Sequence, residues 1–221
     1  SPVETQLLAF DHFVYYYNWE EEIRLVGTLI NQRYEAIIVI PTFDERQTAD
    51  FYRHLISEGT VVTLLDHTMA GSYFTYVIQS YDLGVKRAVN YLKDKTGKNL
   101  VFIKNDWQAQ RNMVQESMIE TFMGFVEKSE DPRKAMVVES LFELGPEMIR
   151  KNEIGGIFCS DDTDAIRVIG RLRELGISVP RDIVLISYGN TDLARYFTPA
   201  ITSIDPHCEQ MAVRTAEIIQ K

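Results

Sequence analysis

The sequence predicts an α/β protein with parallel β-sheet, and three observations carry that prediction. Brief apolar runs at 36–40, 61–65, 100–103, 156–159 and 183–186 have the length and flanking turn chemistry of buried strands. Between them lie longer stretches whose apolar residues repeat at helical spacing. The connections are short and rich in Gly, Pro, Asp and Asn, as strand–helix alternation requires.

In chain order, residues 7–17 are apolar and aromatic and read as a strand ending at Asn18. A helix over 19–33 places Ile23, Val26, Leu29 and Ile30 on one face. The strand at 36–40 is stopped by Pro41. A helix over 45–57, ended by Gly59, leads to the strand at 61–65 and an extended piece at 73–78. There follow a helix at 81–92, a strand at 100–103 and a long helix at 108–128. A strand at 135–138 and a helix at 142–151 complete this half.

The stretch 155–199 is the most informative. Its strand at 156–159 is followed by Ser160, Asp161 and Asp162, one of which is the expected helix cap. Ala165, Val168, Ile169, Leu172 and Leu175 then recur at helical spacing, and Gly176 closes the helix. Pro180 blocks further helix before the strand at 183–186. Strand, helix and strand within about thirty residues form a βαβ unit. Polar residues gather past the carboxyl ends of both strands, where open α/β sheets bind ligands. A short strand at 201–204 and a helix at 207–220 end the chain.

The 221 residues are 45% hydrophobic and 25% charged, an ordinary globular composition. The net charge of −9 argues against this segment itself gripping a nucleic-acid backbone. No apolar run is long enough to span a membrane, and the first residues lack the basic, apolar, small-residue pattern of a leader, so no secretory signal is expected. With only Cys159 and Cys208, a reducing, cytoplasmic location is expected.

Most catalytic motifs fail on their spacing. Thr96-Gly97-Lys98 lacks the first glycine of a phosphate loop, which would fall on Leu92. No G-x-G-x-x-G or G-x-S-x-G occurs, and the four histidines show no metal spacing. No cofactor and no metal are therefore expected, and the chain does not read as an enzyme. Asp161, Asp162 and Asp164 could hold Mg²⁺ at a strand end, or could simply complement a helix N-terminus. A third reading gives one carboxylate to ligand hydroxyls while another caps the helix. Trp107 offers a flat apolar platform, and Arg111 and Gln115 lie on one helix face as donors for ligand oxygens. Packing for Trp107 and solvation for Arg111 remain the alternative.

CSDDTDAIRVIGRLRELGISVPRDIVLISYGNTDLARYFTPAITSI resembles the run AxNDxxAxGxxxxLxxxGxxVPxDxxxxGFDD…TPxLTT of lactose/galactose-repressor-type regulators. The likeness continues upstream through 34–41, 61–66 and 97–103. It implies a periplasmic-binding-protein-like fold of type I: two Rossmann-like lobes with parallel sheets and a ligand between them. The lobes are expected at 1–104 with 205–221, and at 105–204.

The family's Asn-Asp becomes Asp161-Asp162, the first Asp of Gly-Phe-Asp-Asp becomes Gly189 beside Asn190, and Val-Asp-Asn becomes Gln79-Ser80-Tyr81 with Asp82 next. The ligand-binding candidates are thus Asp161, Asp162, Asn190, Trp107, Arg111, Gln115, Tyr81 and Asp82. The fold's first strand and helix, its last strand and a DNA-binding headpiece are expected to lie outside this sequence. The resemblance implies a homodimeric sensor of a small, sugar-like effector that reaches DNA only through that headpiece. A transporter's sugar-binding protein is the main alternative, and an Mg-dependent phosphate-processing enzyme a more distant one.

Overall fold

The computed structural model describes residues 19–31, 34–41, 46–69, 74–104, 113–128 and 132–220. In chain order its elements are α1 (Trp19–Asn31), β1 (Ala36–Val39), α2 (Arg46–Ser57), β2 (Val61–Leu65), β3 (Thr75–Val77) and α3 (Tyr81–Lys95). Then come β4 (Asn99–Ile103), α4 (Met113–Glu127), β5 (Ala135–Val138), α5 (Pro146–Lys151), β6 (Ile154–Cys159) and α6 (Asp162–Glu174). The chain ends with β7 (Val184–Tyr188), α7 (Asp192–Tyr196), β8 (Ser203–Ile204) and α8 (Cys208–Ile219). The expected strand at 7–17 lies outside the described residues, as do the first residues of the long helix.

Two compact units result, Ser1–Gln79 with His207–Lys221, and Ser80–Pro206. In the first, three parallel strands run in the order β1-β2-β3. Ile37 and Val39 alternate inward, meeting Val62 and Leu64 of β2 and Tyr52 and Leu55 of α2. The buried Tyr52 hydroxyl donates to Glu22 of α1. Burial, then the Glu22 charge and this hydrogen bond, push the phenol far above its usual range, so it stays protonated. α8 packs on β2 and β3.

The second unit is a five-stranded parallel sheet in the order β5-β4-β6-β7-β8. Strands buried on both faces need apolar side chains at successive positions. β4 and β6 meet that condition: Leu100, Phe102 and Phe158 feed one core, while Val101, Ile103, Ile157 and Cys159 feed the other. The first core is closed by Val85, Val89 and Leu92 of α3 and by Phe122 of α4. Here Phe102 meets Phe158 edge-on at 5.2 Å, and Phe122 stacks on Phe158 at 6.1 Å. Ala165, Val168 and Leu172 of α6 close the second core, with Met148 and Ile149 of α5 beside them.

This arrangement corrects the expected lobe boundary. β4 lies between β5 and β6, and α3 packs on α4, β6 and β7, so both belong to the second unit and the division falls after Gln79 rather than near residue 104. One close approach makes this packing possible. A Cβ on Gly84 of α3 would sit 2.5 Å from a ring carbon of Tyr188, so only glycine lets the helix lie against that ring. The predicted helix at 142–151 is also interrupted. Leu141–Glu143 form a 3-10 turn, and α5 begins only after Gly145, with Pro146 in its first turn. The short α7 between Gly189 and Pro199 was not anticipated.

Gly84→Ala is expected to destabilise the protein by about 1–3 kcal/mol despite alanine's better helix propensity, because the added methyl overpacks against Tyr188. Urea denaturation of Gly84→Ala, Tyr188→Leu and the double variant checks this: the double variant should be more stable than the two separate losses sum to.

Candidate functional site

β6 ends at Cys159, and the chain turns through Ser160 and Asp161 into α6. Asp161 has extended backbone (φ −148°, ψ 169°), and its Oδ1 accepts the Asp164 N–H at 2.7 Å. It is the helix cap. Asp162, one residue on, is turned inward and only 2% exposed. Its Oδ1 accepts the Ser187 hydroxyl at 2.5 Å and the Ser203 hydroxyl at 2.7 Å. Its Oδ2 accepts the Thr191 N–H at 2.8 Å and the Thr191 hydroxyl at 2.7 Å. A buried carboxylate is tolerated when its lone pairs are filled in this way. The four bonds tie the start of α6 to β7, to β8 and to the loop before α7.

That loop is shaped by the same carboxylate. Gly189 takes φ +128°, and a Cβ there would lie 3.1 Å from Asp162 Oδ2. Asn190 follows with φ +47°, a left-handed conformation that asparagine tolerates better than most residues. Its N–H donates to Ser203 Oγ at 2.8 Å, and its Oδ1 accepts from Arg195 Nε at 3.3 Å.

Other polar groups reach this carboxyl edge from neighbouring elements. Gln115 of α4 is buried and donates through Nε2 to Ser160 Oγ at 2.8 Å. Lys104, just past β4, sits 3.1 Å from both Glu116 and Glu139, whose hydrogen bonds and charges hold its ammonium above the usual range. Tyr81, at the start of α3, stacks on Tyr188 at the end of β7 (5.7 Å, 29°). Asp82 accepts from Thr121 of α4 at 2.9 Å.

The structure therefore brings Asp161, Asp162, Asn190, Gln115 and Tyr81 to one edge of one sheet, and ties Asp82 to α4 close by. Trp107 and Arg111 lie outside the described residues. Asp162 departs from its expected role as a ligand contact: both of its oxygens are engaged by the protein, because β7 and β8 return beside α6 and cover it. The three aspartates also do not form an Mg²⁺ cage. Asp161 caps, Asp162 is enclosed, and Asp164 pairs with Arg167 at 3.5 Å. Among the described residues no group of three or more His, Cys, Asp or Glu side chains is placed to hold a metal ion. No helix among them is long and apolar enough to cross a membrane. Strand-end polarity pointed to residues 187–190 in the sequence, but not to the bond of Ser187 to Asp162, and Thr191 and Ser203 were missed; their signal was the hydroxyl-rich text around both strand ends.

A parallel sheet covered on both faces, with polar side chains converging at its carboxyl edge, is the architecture of a periplasmic-binding-protein-like domain. The chain belongs to the periplasmic binding protein-like domain family, whose profile matches residues 105–221, and it is a domain of the kind that LacI-type transcription regulators carry. It is 33% identical to the HTH-type transcriptional repressor PurR of Vibrio atlanticus (strain LGP32) over 91 residues, 38% of this chain and 27% of the relative. It is 23% identical to PurR of Vibrio cholerae serotype O1 (strain M66-2) over 212 residues, 91% of this chain and 61% of the relative. The chain thus spans less than two thirds of the length of these curated relatives. Among solved structures, a PurR family transcriptional regulator from Vibrio parahaemolyticus RIMD 2210633 superposes with a TM-score of 0.75 at 17% identity, covering 92% of this chain and 78% of that one. A periplasmic binding protein/LacI transcriptional regulator from Alkaliphilus metalliredigens QYMF, complexed with D-xylulofuranose, gives 0.71 at 17% identity over 93% and 75%. At these identities the superpositions establish the fold.

Two outcomes follow from the site's geometry. Asp161→Ala should cost about 1 kcal/mol in a urea titration through loss of the α6 cap. Cys159 is fully buried, and burial, then the charges of Asp164, Asp161 and Asp162, push its thiol well above the ordinary value. The folded state therefore keeps a proton that the unfolded state releases, and stability falls as pH rises past the ordinary thiol value. In a disulfide-exchange assay at pH 8, the exposed Cys208 should react in the native protein and Cys159 only after denaturation.

Proposed function

We propose that this chain is the ligand-sensing part of a transcription regulator. It binds a small effector, a sugar or sugar derivative, at the carboxyl edge of the second unit's sheet. The bound state is passed to a dimer partner and to a DNA-binding headpiece outside this chain. The observation that carries this reading is the set of complementary groups at that edge. Asp161 supplies a carboxylate, with the buried Gln115 bracing Ser160 beside it; Asn190 supplies an amide, and Tyr81, backed by the buried Tyr188, supplies an aromatic surface. Hydroxyl-rich rings are recognised by such a combination of a few directed polar groups on an apolar wall. Trp107 and Arg111 join this site in the proposal.

Family membership supports a sensor rather than a catalyst, and the net charge of −9 fits a segment that leaves DNA contact to another part of the protein. Signalling requires that the effector prefer one conformation of the regulator, since equal affinity for both shifts nothing.

Thermal-shift and calorimetric titration against monosaccharides, sugar acids, sugar phosphates and nucleosides tests the reading. A ligand present at a hundred times its Kd should add about 2.7 kcal/mol of stability. A binder among the sugars supports the proposal, and a flat response across the whole panel overturns it.

A further inference from the structure

We infer that Asp162 and Arg195 are positioning residues that present Asn190 to the effector as a hydrogen-bond donor. The inference rests on the effector-binding reading above and adds the polarity of one of its contacts. Arg195 Nε can only donate, so the Asn190 atom 3.3 Å from it is the amide oxygen. That leaves Nδ2, with its two protons, as the atom Asn190 can offer, and it donates to nothing among the described residues. The backbone beneath it is pinned: Asn190 N–H is held by Ser203 Oγ, and Ser203 Oγ is held in turn by Asp162. The next residue, Thr191, gives both its N–H and its hydroxyl to Asp162 Oδ2. Asp162 therefore grips Asn190 from both sides without touching its side chain. The left-handed conformation of Asn190 is held by this network. An effector at this point must bring an acceptor, such as a hydroxyl or carbonyl oxygen or a ring nitrogen.

Amide hydrogen exchange of the whole chain, followed by NMR, reads the positioning without any ligand. Asp162→Asn should speed exchange of Thr191 N–H by about tenfold or more, the worth of a hydrogen bond to a charged group, while amides of β4 and β6 are unchanged. Ser203→Ala should do the same to Asn190 N–H, and it keeps the test decisive should Asp162→Asn fail to fold. Unchanged exchange at both amides overturns the positioning role.

D-ribose and adenosine then serve as probes in calorimetry. Asn190→Asp keeps an acceptor for Arg195 but removes the Nδ2 donor. It and Asp162→Asn should each weaken whichever probe the parent protein binds by about tenfold or more. Parent-like affinity in either variant overturns the donor assignment. If the parent binds neither probe while the loop amides respond as expected, the positioning network stands, and the fault lies with the effector class proposed above.

Discussion

Burial of β4 and β6 on both faces is the constraint from which the rest of the second unit follows. Alternate residues of these strands enter two separate cores, so helices must cover both sides of the sheet. Parallel strands also require every crossover helix to run back against the strand direction, which starts α3, α4 and α6 at the carboxyl edge. First turns then carry acids (Asp82, Glu116, Asp162, Asp164), and the last turns of α3 and α6, though not of α4, carry bases (Lys93 and Lys95, Arg171 and Arg173). That charge division complements the helix dipoles. Acidity at this edge is consequently a product of the fold, and a carboxylate there is no evidence of a ligand until its own hydrogen bonds are known.

Asp161 and Asp162 show why those bonds matter. They are adjacent and chemically identical, yet one caps the helix at its rim and the other is sealed beneath it. The difference arises because Asp161 is still extended while Asp162 has entered the helix, which swings its side chain toward β7 and β8. Ser187 and Ser203, far apart in sequence, supply hydroxyls at the point where the carboxylate arrives. Losing either partner of such a buried set leaves a charged oxygen short of donors, so its members behave as a unit.

Much of this fold was legible in the sequence. Short apolar runs marked β1, β2, β4, β6 and β7, and Ser160-Asp161-Asp162 placed the start of α6 to within a residue. The lobe boundary was not legible, because the apolar stripe of α3 (Val85, Val89, Leu92) would suit either sheet. What assigns α3 to the second unit is the close fit of Gly84 against Tyr188, a contact across a long sequence separation. The break before α5 was written in Gly145-Pro146, but helical periodicity on either side of it masked the signal. At the site, Asp161 and Asn190 could be picked out from strand-end chemistry. The enclosure of Asp162 could not, since it depends on where β8 returns.

The family pattern puts an amide at the end of β6 and a carboxylate at the end of β7. Here Asp161 stands in the first place, and Gly189 followed by Asn190 in the second, so acceptor and donor exchange sides. Gly189 is consistent with this exchange, because at its positive φ any side chain is strained, and a Cβ there would also crowd Asp162 Oδ2 at 3.1 Å. In the proposed site, hydrogen-bond polarity is therefore reversed across the two strand ends. A ligand that donates at the β7 end and accepts at the β6 end in the family pattern would meet like against like in this chain. In the proposed site, the changes at Asp161, Gly189 and Asn190 would favour an effector with the opposite order of donors and acceptors, while the buried Asp162 network beneath holds the loop in place.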